Sequence, residues 1–442
     1  MHRSRLLIVA AAMIALSGCQ SDSERKNGDA PRSGAGGQQN VSTLTPYPVP
    51  KKSDQKPPAG FEPVFAEHVA RHGARSLTDG DLLEDTIALW EEARDAGALT
   101  SAGKRFGPDV RALHAAMDNV GFGQLSTLGR EEMQGIGTRA GERLSSMFEA
   151  AIADGAKVDV FDSGKDRAAD SAESFAAGVS SVHPDLEIEP SETDEKMLKF
   201  DSENNEYEDF LDDGDWKAAY NRVRKNSGID EAAVATLEHL YEPDFVAGID
   251  QKLFYANGIF DVYRGGPAMS RDVKVDTMRL MPAKSAEAFA YVDDGRFFYS
   301  RGPGVEGDDS SYQAAQILLD DFFTAIDDRL QGRGDHPHAA VYRFAHAEEI
   351  TPFASLLELP GAHEQGKPGE TYTYDNNDFR VSTIAPLSAN IEWVVWAKGD
   401  THIVSVSHNE VQTTVGRDCE PYQDTKNFYE LEELRSCLGA TG

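Results

Sequence analysis

Cysteine is scarce in this 442-residue chain, with three residues in all: Cys19, Cys419 and Cys437. Their number and spacing give no metal signature. No Cys-His pairing and no G-x-S-x-G elbow is present, which removes support for a cysteine or serine hydrolase. Basic residues are also few, 43 Lys and Arg against 75 Asp and Glu, for a net charge of −32. Nucleic acid and anionic membrane surfaces both need a basic face, so neither is an expected partner. No internal repeat stands out. The apolar run from Leu6 to Leu16 is too short to span a bilayer. What is present is a hydrophobic content of 40% with 9% aromatics. That is enough for a packed core in one large or two medium domains, and it excludes global disorder.

The opening MHRSRLLIVAAAMIALSGC has a basic start, a short apolar run and small residues before Cys19. It reads as a secretion signal. Its ending LSGC resembles the lipobox of bacterial lipoproteins, which implies lipidation at Cys19 and a cell-envelope location, with the lipid as the only membrane contact. Residues 20–57 are rich in Ser, Gly, Pro, Asn and Gln without hydrophobic periodicity, the composition of a flexible tether. Outside the cytosol, Cys419 and Cys437 are expected to form a disulfide. The remaining 58–442 holds the folded domain.

Within that domain, strand-like runs at 63–70, 157–161 and 339–345 each end in a glycine, polar residue or histidine. A fourth run, 392–398, turns at Gly399-Asp400 into 402–407 as a hairpin. Helical spacing follows the second run, at Ala168, Ala172, Phe175, Ala176 and Val179, and the third, at Ile350, Phe353, Ala354, Leu356 and Leu357. Alternating strand and helix predicts an α/β core at about 58–195 and 276–442. Its central sheet is expected to be mixed and largely parallel, flanked by helices, with ligand groups at the carboxyl ends of the strands. Residues 80–150 and 313–330 read as helical, and the acidic block 195–275 reads as a mostly helical cap over one edge. Gly302 to Gly307 fits G-x-G-x-x-G after a strand-like FFYS. Asp308 and Asp309 at the following helix start would repel a pyrophosphate, so dinucleotide binding is rejected.

Three clusters sit at the strand ends. Arg71-His72-Gly73-Ala74-Arg75 places an imidazole beside a glycine that permits close approach, between two guanidinium forks suited to phosphate oxygens. Asp162 to Arg167 opens a helix whose N–H groups suit an anion, with Lys165 and Arg167 beside them. His346-Ala347-Glu348 puts a histidine and a carboxyl group at another helix start. Taken singly, these are also a surface turn, an N-cap with a solvated arginine, and a glutamate complementing a helix dipole. Their convergence is what points to phosphoryl chemistry. Lys104, Arg105 and Lys165 extend the basic zone or are solvated surface charge. His336 and His338 are expected in a solvated loop, and His408 and Asn409 are expected to brace the site or the hairpin.

RHGAR followed far downstream by HAE resembles the histidine acid phosphatase branch of the histidine phosphatase superfamily. The HAE form is similar to the multiple inositol polyphosphate phosphatases and their bacterial phytase relatives. Weaker matches lie at GQLSTLGREEM (123–133), SGKDRAADSAESFAAG (163–178), LKFD (198–201), FFYSRGPG (297–304), PLSANIEWVVWA (386–397) and SHNE (407–410). Leu77 departs from the pattern, since the family usually has proline two residues after the second arginine.

The resemblance implies a phosphomonoesterase acting on inositol polyphosphates such as phytate, with His72 as nucleophile and Glu348 as proton donor. It implies that Arg71, Arg75, Arg167 and His346 hold the phosphoryl group, without metal or cofactor. Such a chain is expected to act as a monomer, with an acidic, bell-shaped pH profile. A broad acid phosphatase and a non-catalytic surface protein that captures phosphorylated ligands are the alternatives.

Overall fold

The computed structural model describes residues 40–51, 56–333 and 337–440. The signal segment, Cys19, the tether up to residue 39 and His336 lie outside the described residues.

Eight strands form one sheet among the described residues: β1 (Glu62–Arg71), β2 (Lys157–Asp162), β3 (Glu192–Thr193), β4 (His338–Ala345), β5 (Asn390–Lys398), β6 (Thr401–His408), β7 (Val411–Thr413) and β8 (Phe428–Glu430). Their order is β3-β2-β4-β1-β5-β6-β7, with β8 also paired to β6. The half from β3 to β1 is parallel, and β1 meets β5 antiparallel. The expected mixed sheet with a parallel core is thus present. Seven consecutive buried residues, Phe65 to Arg71, mark β1 as a strand covered on both faces. The hairpin from β5 to β6 turns at Gly399, whose φ of 58° is the left-handed value such turns require.

Helices cover the sheet. The first to matter here are α1 (Thr127–Arg143) and α2 (Asp166–Val182), which pack closely on one another. Gly137 permits this, because a Cβ there would lie 2.1 Å from the Phe175 carbonyl. Next come α3 (Lys252–Gly265), α4 (Ala283–Ser300), α5 (Gln316–Gln331) and α6 (Ala347–Leu356). The acidic block is helical in segments from Glu195 to Gly265. No helix among the described residues is long and apolar enough to cross a membrane. Cys419 and Cys437 form a disulfide, with Cα atoms 5.2 Å apart.

Three expectations need correction. The tether does not run through residue 57: Val41, Leu44 and Tyr47 are buried, although the Ser/Thr/Pro composition around them resembles a linker. FFYS is the last turn of α4, because a short, mostly aromatic run is equally consistent with a buried helix. Asp308 and Asp309 precede the next helical turn, which begins at Gln313, rather than occupying its start.

Candidate active site

Register brings the predicted clusters together. Arg71 lies opposite Ala345 on β4, and Asp162 of β2 lies opposite Phe344. His72, Ser163 and His346 therefore leave three adjacent strands at the same end of the sheet. A cavity of about 490 Å³ opens there, lined by Arg71, His72, Arg75, Lys165, Arg167, His346 and Glu348. Lys104 and Arg105, expected as extended contacts, do not line it; both are exposed on the helix Gly103–Val120. A second cavity of about 520 Å³, near His363, Lys367 and Arg417, contains none of the predicted residues.

The loop after β1 is held by its backbone. The His72 N–H donates to the Ala345 carbonyl (3.0 Å), and Gly73 N–H donates to Ser171 Oγ (3.0 Å). Gly73 is required here, since a Cβ would stand 2.6 Å from the Gly129 carbonyl of α1. Glu132 accepts from Ala74 N–H (3.0 Å) and from Ser388 Oγ (2.8 Å). Leu77, where the family pattern has proline, is buried, and its carbonyl accepts from Gly123 N–H at 2.6 Å. Main-chain bonds thus hold the loop beside this departure.

His72 Nδ1 lies 3.0 Å from the Gly73 carbonyl, which can only accept. The proton is therefore assigned to Nδ1, and Nε2 keeps its lone pair. Burial, then the charges of Arg71 and Arg75, hold this imidazole well below its ordinary pKa. The neutral, nucleophilic tautomer is thus the resting form. His346 is the N-cap of α6, and its ring centroid lies 5.4 Å from that of His72. Its Nε2 pairs with Ser163 Oγ at 2.8 Å, and burial followed by Arg167 pulls it down to about 3.

The arginines are crowded. Burial lowers Arg71 to about 10, opposed by Glu348. Burial, Arg71 and Arg167 lower Arg75 to about 9. The Nε atoms of Arg71, Arg75 and Arg167 are buried without a hydrogen-bond partner. Such a set of underused cationic donors suits an anion with several oxygens. Burial alone would raise Glu348, but Arg301, His346 and Arg71 outweigh it and hold the carboxyl at about 2.

Residue-by-residue reading of the sequence missed four contributors. Arg301, just beyond α4, lies 3.4 Å from Asp201 and stabilises the Glu348 charge. Glu349 is fully buried, and its Oε2 accepts from the His346 N–H at 3.1 Å. Glu132 braces the loop, and Thr43 lines the cavity. Arg301, Asp201 and Glu132 all lie inside the short strings that carry the weaker family matches; Thr43 had no such signal. His408 and Asn409 bond the carbonyls of Ile384 (2.7 Å) and Thr383 (3.1 Å), so they brace the segment after α6. His338 belongs to β4 and pairs with Asp159 rather than lying in a loop.

Comparison with known proteins agrees with this arrangement. Residues 64–237 match the family described as histidine phosphatase superfamily (branch 2). Multiple inositol polyphosphate phosphatase 1 of Dictyostelium discoideum is 33% identical over 93 residues, a stretch covering 20% of this chain and 15% of that protein. The Bifidobacterium longum multiple inositol polyphosphate phosphatase, solved with inositol hexasulfate, superposes with a TM-score of 0.82 at 27% identity, over 91% of this chain and 97% of the other. The D. castellii phytase shares the fold alone, with a TM-score of 0.64 at 14% identity, over 91% of this chain and 84% of that one. Over residues 64–237 and in its fold the chain resembles a histidine phosphatase of branch 2, and the strand-end cavity at His72 and Glu348 is the candidate active site.

Proposed function

We propose that this protein hydrolyses phosphate monoesters of inositol polyphosphates, phytate among them, through a phosphohistidine on His72. The observation that carries the reading is the Nδ1 hydrogen bond to Gly73, which leaves Nε2 free within a cavity rimmed by Arg71, Arg75 and Arg167. In the first step the Nε2 lone pair forms a bond to phosphorus as the ester P–O bond breaks, and Glu348 gives its proton to the departing alkoxide. In the second, Glu348 takes a proton from water, the water oxygen attacks phosphorus, and the N–P bond breaks. The arginines balance the charge on the equatorial oxygens throughout.

Protonation sets the pH dependence. His72 must be neutral, and its lowered pKa keeps it so further into the acidic range than an ordinary histidine. Glu348 must be protonated, and in the empty site it is ionised above about pH 2. An incoming phosphate dianion offsets the field of Arg301 and Arg71 and raises this carboxyl. Activity is therefore greatest in the acidic range and falls as pH rises through neutral. An alkaline or flat optimum would remove Glu348 as donor.

Several further cations support a substrate with more than one phosphate. Lys165 and Arg296 line the same cavity without an ion pair among the described contacts, while Arg264 and Lys199 bring charge already shared with acids. The Bifidobacterium longum protein, crystallised with inositol hexasulfate, is in keeping with this. Phosphate release from phytate across pH 3–8, beside simple phosphate monoesters, tests the proposal. Phytate binding without release would favour a capture protein, and release from simple esters alone would favour a broad acid phosphatase. Export, lipid attachment at Cys19 and a monomeric state belong to the same reading. Fatty-acid labelling that disappears in Cys19→Ser tests the anchor, and sedimentation tests the monomer.

A further inference from the structure

The segment before β1 enters three separate apolar clusters within seven residues. Val41 joins the cluster that includes Phe260 and Phe289, from α3 and α4. Leu44 joins that of Phe106, and Tyr47 that of Met133 and the sheet. Polar bonds fix the same stretch. Tyr47 N–H donates to Glu132 Oε1 (2.9 Å), its hydroxyl donates to Glu410 Oε2 (2.9 Å), and Leu387 N–H donates to the Thr45 carbonyl (2.8 Å).

Between these anchors the backbone reaches the catalytic cavity. Arg71 Nη1 donates to the carbonyls of Thr43 (2.5 Å) and Ala385 (2.7 Å), and Thr43 is part of the cavity wall. A planar guanidinium pinned at one nitrogen by two carbonyls has its plane fixed, so its remaining donors are aimed before a ligand arrives. The Thr43 carbonyl is presented by a tight turn, in which Ser42 takes a φ of 51° and its own carbonyl accepts from Thr45 N–H and Oγ1.

We propose that residues 41–47 are a strap that positions Arg71, so that the chain in front of the α/β domain completes the phosphate-binding site. The inference rests on the reading that Arg71 holds the transferring phosphoryl group. Thr43 acts through Arg71 and is a positioning residue; the strap touches no reacting atom.

Ser42 offers a way to move that carbonyl. Proline cannot adopt a positive φ, whereas glycine adopts it without strain. In the full chain, Ser42→Pro is expected to lower kcat/KM for phytate by about tenfold or more, the scale of a small misplacement of a binding group. Ser42→Gly, the conservative control, stays within about twofold of the parent. The decisive comparison is in an Arg71→Lys background, where Ser42→Pro should cost less than about twofold further, because the group it positions is gone. A strap that merely supports the fold would impose the same loss in both backgrounds, and that result overturns the proposal. So does Ser42→Pro with unchanged kcat/KM. An Arg71→Lys variant with full activity overturns the reading of Arg71 itself, which is a different failure from the other two. Circular dichroism checks folding, and Leu44→Ala, which loosens the strap without redirecting its backbone, carries the same comparison if Ser42→Pro does not fold.

Discussion

Strands β1 and β4 hold two buried charge clusters, a few residues apart, with opposite character. Midway along them, Arg343 is buried between Glu67, at 3.0 Å, and Asp321, and Glu67 is fully enclosed. At their carboxyl ends, Arg71 and Arg75 share a buried space with His72, His346 and Arg167, where Glu348 is the foremost acid opposing them. In the first cluster each charge has a permanent partner. Burial still lifts Glu67 well above the ordinary carboxylate range, with Arg343 working against it, so even this pairing is strained by desolvation. In the second, cations outnumber acids: Arg71, Arg75, Lys165, Arg167, Lys199, Arg264 and Arg296 line the cavity against Asp201 and Glu348. The difference is between buried charge balanced within the fold and an excess of buried cation that an anionic substrate would balance.

Substitutions in the two clusters should have different consequences, the largest at His72. His72→Ala removes the proposed nucleophile and should abolish phosphate release while phosphate or an unreactive polysulfated inositol still binds, as calorimetry would show. Glu348→Gln keeps the shape of the site but not its proton, and should lower kcat by about 10²–10⁴-fold and flatten the decline above acidic pH. Arg343→Met leaves Glu67 buried and unpaired and should cost about 3–5 kcal/mol of stability in denaturant titrations. The folded fraction should keep its kcat/KM, which would mark that cluster as structural. Saturating phosphate should raise the melting temperature of the parent chain, equivalent to about 2.7 kcal/mol at a hundred times the dissociation constant. Smallest of all, Lys165→Ala and Arg296→Ala should weaken phytate more than a simple monoester, whereas Lys104→Ala and Arg105→Ala should change neither.

Much of this site was legible because strand ends carry their own signal. Apolar runs that stop in RHGAR, DSGKDR and HAE place three functional groups at chain positions far apart, and parallel register with β1 beside β4 beside β2 brings them to one end. Residues set by packing alone left no such mark. Arg301, the residue after α4, acts on Glu348 at the start of α6 only through the tertiary fold, and FFYS before it was ambiguous between strand and helix. The strap was hidden for a related reason: Val41, Leu44 and Tyr47 each fill a different cluster, so they form no stripe that periodicity detects. Lys104 and Arg105 show the converse, since basic residues in a helix carry no indication of which way the helix faces.

The proposed reaction passes through a covalent bond between His72 and phosphorus. Rapid quenching of the protein during turnover of substrate labelled in its phosphoryl group, followed by peptide mapping in alkali, tests it most directly. Alkali-stable, acid-labile label on the peptide containing His72, absent from His72→Ala, is the predicted result. Turnover with no protein-bound label under conditions that trap phosphohistidine, or label on any other residue, would rule out a phosphohistidine at His72.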